Sequence, residues 1–278
     1  MKFDIRQRAK DKGILIAAHR GMNGGNIPCN SLACYKIAQR YGADIIELDI
    51  TASRDGELFM LHPGMEKVHF NENINIGTLP ASEVKKIFLA NQDLAKTQYP
   101  VITFDETLEA LSNSDCFINV DKFWDNPDLI SKAIRRHNMT DRILVKTGTD
   151  KATLDKVEKY AHDMQYMSVT KGGSEIHEEI KRRNINYIGS EVLFDNDECE
   201  VCSDAFIEKL HKENLIVWAN AIVYDYKAVI ASTHTDDTSL LANPDDGWGW
   251  LAKKKFDIIQ TDWVTQLDMY LKENGYRK

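Results

Sequence analysis

Long apolar runs are missing from this chain. After a charged N-terminus, the first apolar stretch covers only Ile14 to Ala18. That is too short for a secretory signal or a membrane span, so no stable membrane association is expected. Cysteine is scarce: the five present are odd in number and thinly spread. This argues against a disulfide framework and suits a reducing, cytoplasmic setting. Cys199 and Cys202 make one C-x-x-C, but no second pair stands at zinc spacing. Free thiols in a loop are therefore expected. A surplus of positive charge is missing too, with a net charge of −8 and a pI of about 5.5. That argues against nonspecific nucleic-acid binding and against attraction to anionic lipid. An anionic small-molecule substrate stays open, because a bound cation reverses the local sign. No repeat, low-complexity tract or linker divides the chain, so residues 1–278 read as one domain.

What is present is an alternation. Short β-type runs stand at Ile14–Ala18, Ile45–Ile50, Phe117–Asp121, Ile143–Thr147, Tyr166–Val169, Tyr187–Leu193, Ile216–Asn220 and Asp257–Thr261. Amphipathic stretches fall between them, among them Ser31–Tyr41, Pro127–Asn138, Lys151–Asp163, Ser174–Arg183 and Ser203–Glu213. Eight strand–helix units predict an α/β fold closed as a (β/α)8 TIM barrel. The rival is an open doubly wound sheet, but no G-x-G-x-x-G follows the first strand. The connection after the second strand is long, with helical pieces near Ala81–Ala90 and Phe104–Leu111. It reads as an insertion, about 63–113, on the catalytic face.

The second strand carries the chemistry. Ile46, Leu48 and Ile50 alternate with Glu47 and Asp49, which places two carboxylates on one face, about 7 Å apart. Buried together they repel, and a divalent cation removes the conflict. An Asp55-Gly56 turn then folds Leu58–Leu61 back, so that His62 comes near the same end. Barrel sites lie at the C-terminal ends of strands. Parity along the strands gathers His19, Asn119, Asp121, Lys146, Trp218 and Asn220 at that mouth with Glu47, Asp49 and His62. Each also fits a structural role taken alone: Asn119 bonding backbone, Trp218 in the core, Lys146 reaching solvent. Together they describe an acidic metal site with two histidines and a cationic rim.

These residues carry a resemblance. His19-Arg20-Gly21, Gly42-Ala43-Asp44-Ile45-Ile46-Glu47-Leu48-Asp49, Asp55-Gly56 with His62, and Pro100-Val101-Ile102-Thr103-Phe104-Asp105-Glu106 stand in order. Asn119-Val120-Asp121-Lys122, Trp218-Ala219-Asn220 and Ile259-Gln260-Thr261-Asp262 follow. The chain resembles the glycerophosphodiester phosphodiesterase family of metal-dependent (β/α)8 barrels, from Ile14 to about Leu271. The resemblance implies Glu47, Asp49 and Asp121 as ligands of one divalent cation, Mg²⁺ or Ca²⁺, since the ligands are all oxygen. It implies His19 and His62 as the acid/base pair and Arg20 as a phosphate-binding residue. Lys122, Lys146, Trp218 and Asn220 complete the expected substrate-binding set. The activity implied is hydrolysis of a glycerophosphodiester to an alcohol and glycerol 3-phosphate. Three departures stand out: Cys29 replaces a glutamate in Pro28-Cys29-Asn30, Pro63 follows His62 in place of aspartate, and Asp121 stands where many relatives have glutamate. The alternatives are a phospholipase D-like lyase acting on a lysolipid, which a long apolar loop would favour, and an inactive barrel that binds phosphate esters.

Overall fold

The computed structural model of the protein describes residues 3–278. The elements run in the order α1 (Ile5–Lys12), β1 (Leu15–Ala18), α2 (Leu32–Arg40), β2 (Ile45–Ala52), β3 (Leu58–Met60), α3 (Glu66–Phe70), α4 (Ala81–Val84), β4 (Phe88–Ala90) and β5 (Lys96–Pro100). Then come α5 (Phe104–Leu111), β6 (Phe117–Asp121), α6 (Pro127–Arg136), β7 (Ile143–Thr147), α7 (Lys151–Ala161), β8 (Gln165–Thr170), α8 (Ser174–Lys181) and β9 (Tyr187–Val192). The chain finishes with α9 (Asp204–Lys212), β10 (Ile216–Asn220), α10 (Asp236–Leu241), α11 (Trp248–Lys253), β11 (Ile258–Thr261) and α12 (Val264–Glu273).

Eight parallel strands (β1, β2, β6, β7, β8, β9, β10 and β11) pair in ring order, and β1 closes the ring by pairing with both β11 and β2. The protein is a TIM barrel. Each strand buries both faces, as a barrel strand must. Leu15, Ala17, Ile45, Phe117, Leu144, Met167, Ile188, Ile216, Trp218 and Ile258 fill the interior. Ile16, Ile46, Leu48, Ile118, Val120, Val145 and Val217 point outward to the helix layer. The floor of the barrel is plugged by α1, which the strongly charged N-terminal sequence did not suggest. Its Ile5 and Ala9 join the interior cluster, Asp4 caps its first turn, and Ile5 N–H donates to Gln165 Oε1 at 3.0 Å.

The stretch Ala81–Ala90, expected as one helix, is a single helical turn followed by strand β4. The reason is tertiary: Leu89 and Val84 both face a small separate core with Phe59, Leu61, Phe70, Ile76 and Val101. That pattern is met by a turn feeding a hairpin, in which Asn91 Oδ1 accepts from the Asp93 and Ala95 amides. By contrast, Phe104, Leu108 and Leu111 of α5 pack in the barrel's outer layer. A Thr103/Glu106 capping box starts that helix. Cys199 caps and Cys202 ends a 3₁₀ turn ahead of α9, both as free thiols.

Candidate active site at the barrel mouth

Glu47 and Asp49 project from β2, and Asp121 from β6, whose backbone is level with Asp49. One carboxylate oxygen from each lies within 4.8 Å of the other two. Such a set fits a hard divalent cation: all donors are oxygen, they converge, and they are buried or nearly so. Glu47 carries the strain of the grouping. Burial, then repulsion from Asp49, pushes its pKa up to about 7.

The neighbours fix these carboxylates. The Arg20 amide donates to Glu47 at 2.8 Å, and Arg20 itself stands at φ 54°, which the tight His19-Arg20-Gly21 corner requires. Its guanidinium lies 2.9 Å from Asp49 as an ion pair, at an angle too poor for a hydrogen bond. Asn30 Nδ2 donates to Asp49 at 3.0 Å, and the Tyr35 hydroxyl holds Asn30 at 2.9 Å. Lys122 pairs with Asp121 at 2.8 Å. Burial would raise the Asp121 pKa, but Lys122 outweighs it and the value falls below the usual range.

The two histidines are held by different means. His19 Nδ1 lies 2.8 Å from Asp262 Oδ1. Burial lowers the His19 pKa, but the bond to Asp262 and the charges of Glu47 and Asp262 raise it more. Asp262 is set in turn by buried Asp236, which accepts from the Asp262 amide at 2.9 Å, from Thr261 Oγ1 at 2.7 Å and from Trp248 Nε1 at 2.7 Å. His62 Nδ1 lies 2.9 Å from the Pro63 carbonyl. A carbonyl only accepts, so this nitrogen bears the proton and Nε2 is left with a lone pair. Burial lowers the His62 pKa. Where the resembling family has a carboxylate after this histidine, the chain uses the backbone oxygen of proline. Cys29 lies 3.6 Å from His69 Nδ1, not at a metal oxygen.

His19, Arg20, Glu47, Asp49, His62, Asp121, Lys122, Lys146 and Asn220 all line one cleft of about 520 Å³. Trp218, expected at the rim, does not line it. It is fully buried one layer below, with Lys146 Nζ 3.8 Å from its ring centre and its Nε1 donating to Asn220 at 3.0 Å. Three residues that strand parity did not select join the site. Glu191 pairs with Lys146 at 2.5 Å and accepts from Asn220 at 2.6 Å, Gln260 lies 3.4 Å from Lys146, and Asp262 backs His19. Gln260 and Asp262 were legible, since they continue the inward register of Ile258 along the last strand.

This mouth is that of a (β/α)8 barrel with three converging carboxylates in a cleft that two histidines also line. A family model described as a domain of unknown function, DUF4996, matches residues 164–271. A glycerophosphodiester phosphodiesterase of Caldanaerobacter subterraneus subsp. tengcongensis is 27% identical over 142 residues, 48% of this chain and 57% of that relative. The chain thus spans little more than half of that curated relative. The crystal structure of a glycerophosphoryl diester phosphodiesterase from Parabacteroides distasonis superposes with a TM-score of 0.77 at 16% identity, covering 95% of this chain and 88% of the other. An Oleispira antarctica phosphodiesterase in complex with the product sn-glycerol-3-phosphate superposes with a TM-score of 0.66 at 15% identity, covering 95% and 99%. The structural likenesses speak for the fold. With the sequence relatives, they bear out the resemblance of this chain to the glycerophosphodiester phosphodiesterase family.

Proposed function

We infer that the protein is a metal-dependent phosphodiesterase that cleaves glycerophosphodiesters to an alcohol and glycerol 3-phosphate. The observation that carries this reading is the convergence of Glu47, Asp49 and Asp121 in the cleft that His19 and His62 also line. One barrel domain carries the whole site, with the segment after β3 as an insertion on its mouth, and the working compartment is the cytoplasm. Glu47, Asp49 and Asp121 hold one Mg²⁺ or Ca²⁺, which polarises a phosphate oxygen when bound.

The chain's own residues divide the remaining work. Arg20 presents a permanent cation to the phosphate. His62, with its proton on Nδ1 and a low pKa, takes at Nε2 a proton from the attacking oxygen, which is either water or the substrate's own neighbouring hydroxyl, whose cyclic phosphate water then opens to glycerol 3-phosphate. His19, with a raised pKa and Asp262 behind it, gives a proton to the leaving alcohol. The names of the curated relatives, and the glycerol phosphate product held by the Oleispira antarctica barrel, favour a glycerophosphodiester as substrate.

The test is metal-dependent release of alcohol from a panel of glycerophosphodiesters. Glu47→Gln is expected to lose both cation binding and turnover while keeping the fold, because one ligand charge is gone. His19→Ala and His62→Ala should each lower kcat by at least ~10²-fold, and the double variant by far less than the product. Full turnover per folded molecule in His62→Ala would remove it from the chemistry.

A further inference from the structure

The loop after β10, residues 221–235, walls one side of the cleft with Ile222, Tyr224, Ala228 and Ile230. Its far leg is fastened down. The Phe194 amide donates to the Ile230 carbonyl at 3.2 Å, and the Ser232 amide donates to the Phe194 carbonyl at 2.9 Å. His234 lies buried and flat against Trp250, with ring centres 3.7 Å apart. Its nitrogens lie 2.6 Å from the Asp246 carbonyl and 3.0 Å from Asp197. Asp236, buried at the start of α10, closes the loop: its amide donates to the Ala221 carbonyl at 2.6 Å.

An aspartate at the first position of a helix ordinarily serves that helix's own free amides. Asp236 does not. Thr235 caps α10, and the Asp236 carboxylate accepts instead from the Thr261 hydroxyl, the Asp262 amide and the Trp248 indole. Burial pushes its pKa up to about 6, against the pull of these three donors, so it is ionised at neutral pH. Burying a charge is costly, and an amide of the same shape would turn an N–H toward one of the donors. What a carboxylate adds here is the capacity to receive all three at once.

Two of those donors belong to consecutive residues at the end of β11, and the second of them, Asp262, backs His19. One residue earlier, the Gln260 carbonyl accepts from the Ala221 amide at 2.8 Å. The base of the loop and the corner behind the acid are therefore one hydrogen-bonded unit, with Asp236 at its centre. Asp262, Glu47 and Arg20 face His19. The bonds of Asp236 reach Asp262, and its effect on His19 passes through that residue.

We propose that Asp236 is a positioning residue for the reaction: it locks the corner that aims Asp262 at His19 to the base of the loop that walls the cleft. This rests on the phosphodiesterase reading and deepens its acid side. The experiment is a double-mutant cycle of Asp236→Asn and Asp262→Asn, with Trp248→Phe as a control, Mg²⁺ present and folding checked by thermal melting. The His19 ring is titrated by NMR, and kcat on glycerophosphoglycerol is followed against pH. In Asp236→Asn the His19 pKa should fall and the alkaline limb should move with it, with kcat down about threefold, a fraction of what a positioned acid supplies. In the Asp262→Asn background the same change should add nothing further to either readout, because residues that act as a unit are non-additive. Trp248→Phe removes one donor and keeps the Asp262 bond, so His19 should titrate as in the wild type. An unmoved His19 in Asp236→Asn, a full additional shift in the double variant, or an equal shift in Trp248→Phe overturns the proposal. If Asp236→Asn does not fold, Asp236→Ser, which keeps an acceptor and loses the charge, is read in its place. Absence of turnover on every glycerophosphodiester overturns the phosphodiesterase reading alone, and the His19 titration still decides the role of Asp236.

Discussion

Asp262 acts on the site through His19 alone. Its carboxylate is half exposed, yet its backbone is pinned to Asp236, so the hydrogen bond to His19 is aimed by a buried group. Asp262→Asn keeps the shape and removes the charge that raises the His19 pKa. A proton donor must be protonated to act, so activity falls as pH rises through its pKa. The alkaline limb of the rate profile should therefore move to lower pH in Asp262→Asn, and kcat should fall about tenfold, a fraction of the ~10²–10⁴ that a whole positioned acid supplies. A uniform loss with no movement of the limb would give Asp262 a merely structural role. Cys29 makes the opposite point. Burial pushes its thiol up to about 12, and its neighbour His69 is pushed down to about 4, chiefly by burial. The pair is neutral, so Cys29, which lines a cleft with His19 and Arg20, brings no charge to it.

Strands and helices set which of these residues could be read from the chain. On β1, β2, β6, β7 and β10, strict alternation holds, and parity put His19, Glu47, Asp49, Asp121, Lys146 and Asn220 on the inward face. Strand β9 breaks the rule. Its pairing with β8 slips by one residue, and Gly189 stands at φ 157° with the Ile216 carbonyl where a side chain would be. Ile188 points in, Val192 points out, and Glu191 swings into the cleft. No period-2 reading of the sequence crosses a bulge, so Glu191 was invisible there. Helix α8 supplies a prediction at the same scale. Its His177 bonds the Tyr187 hydroxyl of β9, its Nε2 is buried without a partner among the described residues, and burial holds its pKa down to about 4. The unfolded chain takes up that proton near pH 6.5 and the folded chain only near pH 4, so stability falls as pH drops through this window. Between pH 7 and 5 the loss due to His177 is about 2 kcal/mol. Urea unfolding of wild type and His177→Gln at both pH values should show the smaller pH dependence in the variant. Equal slopes would remove His177 from the titration.

Over the whole molecule, the eight-unit alternation made the closed barrel legible, because every one of the eight strands was marked by a short apolar run ended by a polar residue or a turn. The insertion was legible only as a length. Its fold depends on Phe59, Leu61, Phe70, Ile76, Val84, Leu89 and Val101 finding one another, and no local period announces that. This second core has a consequence for how the protein fails. His19 belongs to the barrel, whereas His62 leads into the insertion, where Met65 also meets the Arg20 guanidinium. The small core, built from only seven buried apolar side chains, is expected to open before the barrel does. Amides of β4 and β5 should then exchange with deuterium faster than those of β6 or β7. Warming should extinguish turnover several degrees before the barrel's circular dichroism changes, and cooling should restore it. On that outcome, the joint between the two cores is a reversible thermal fuse on the proposed catalysis.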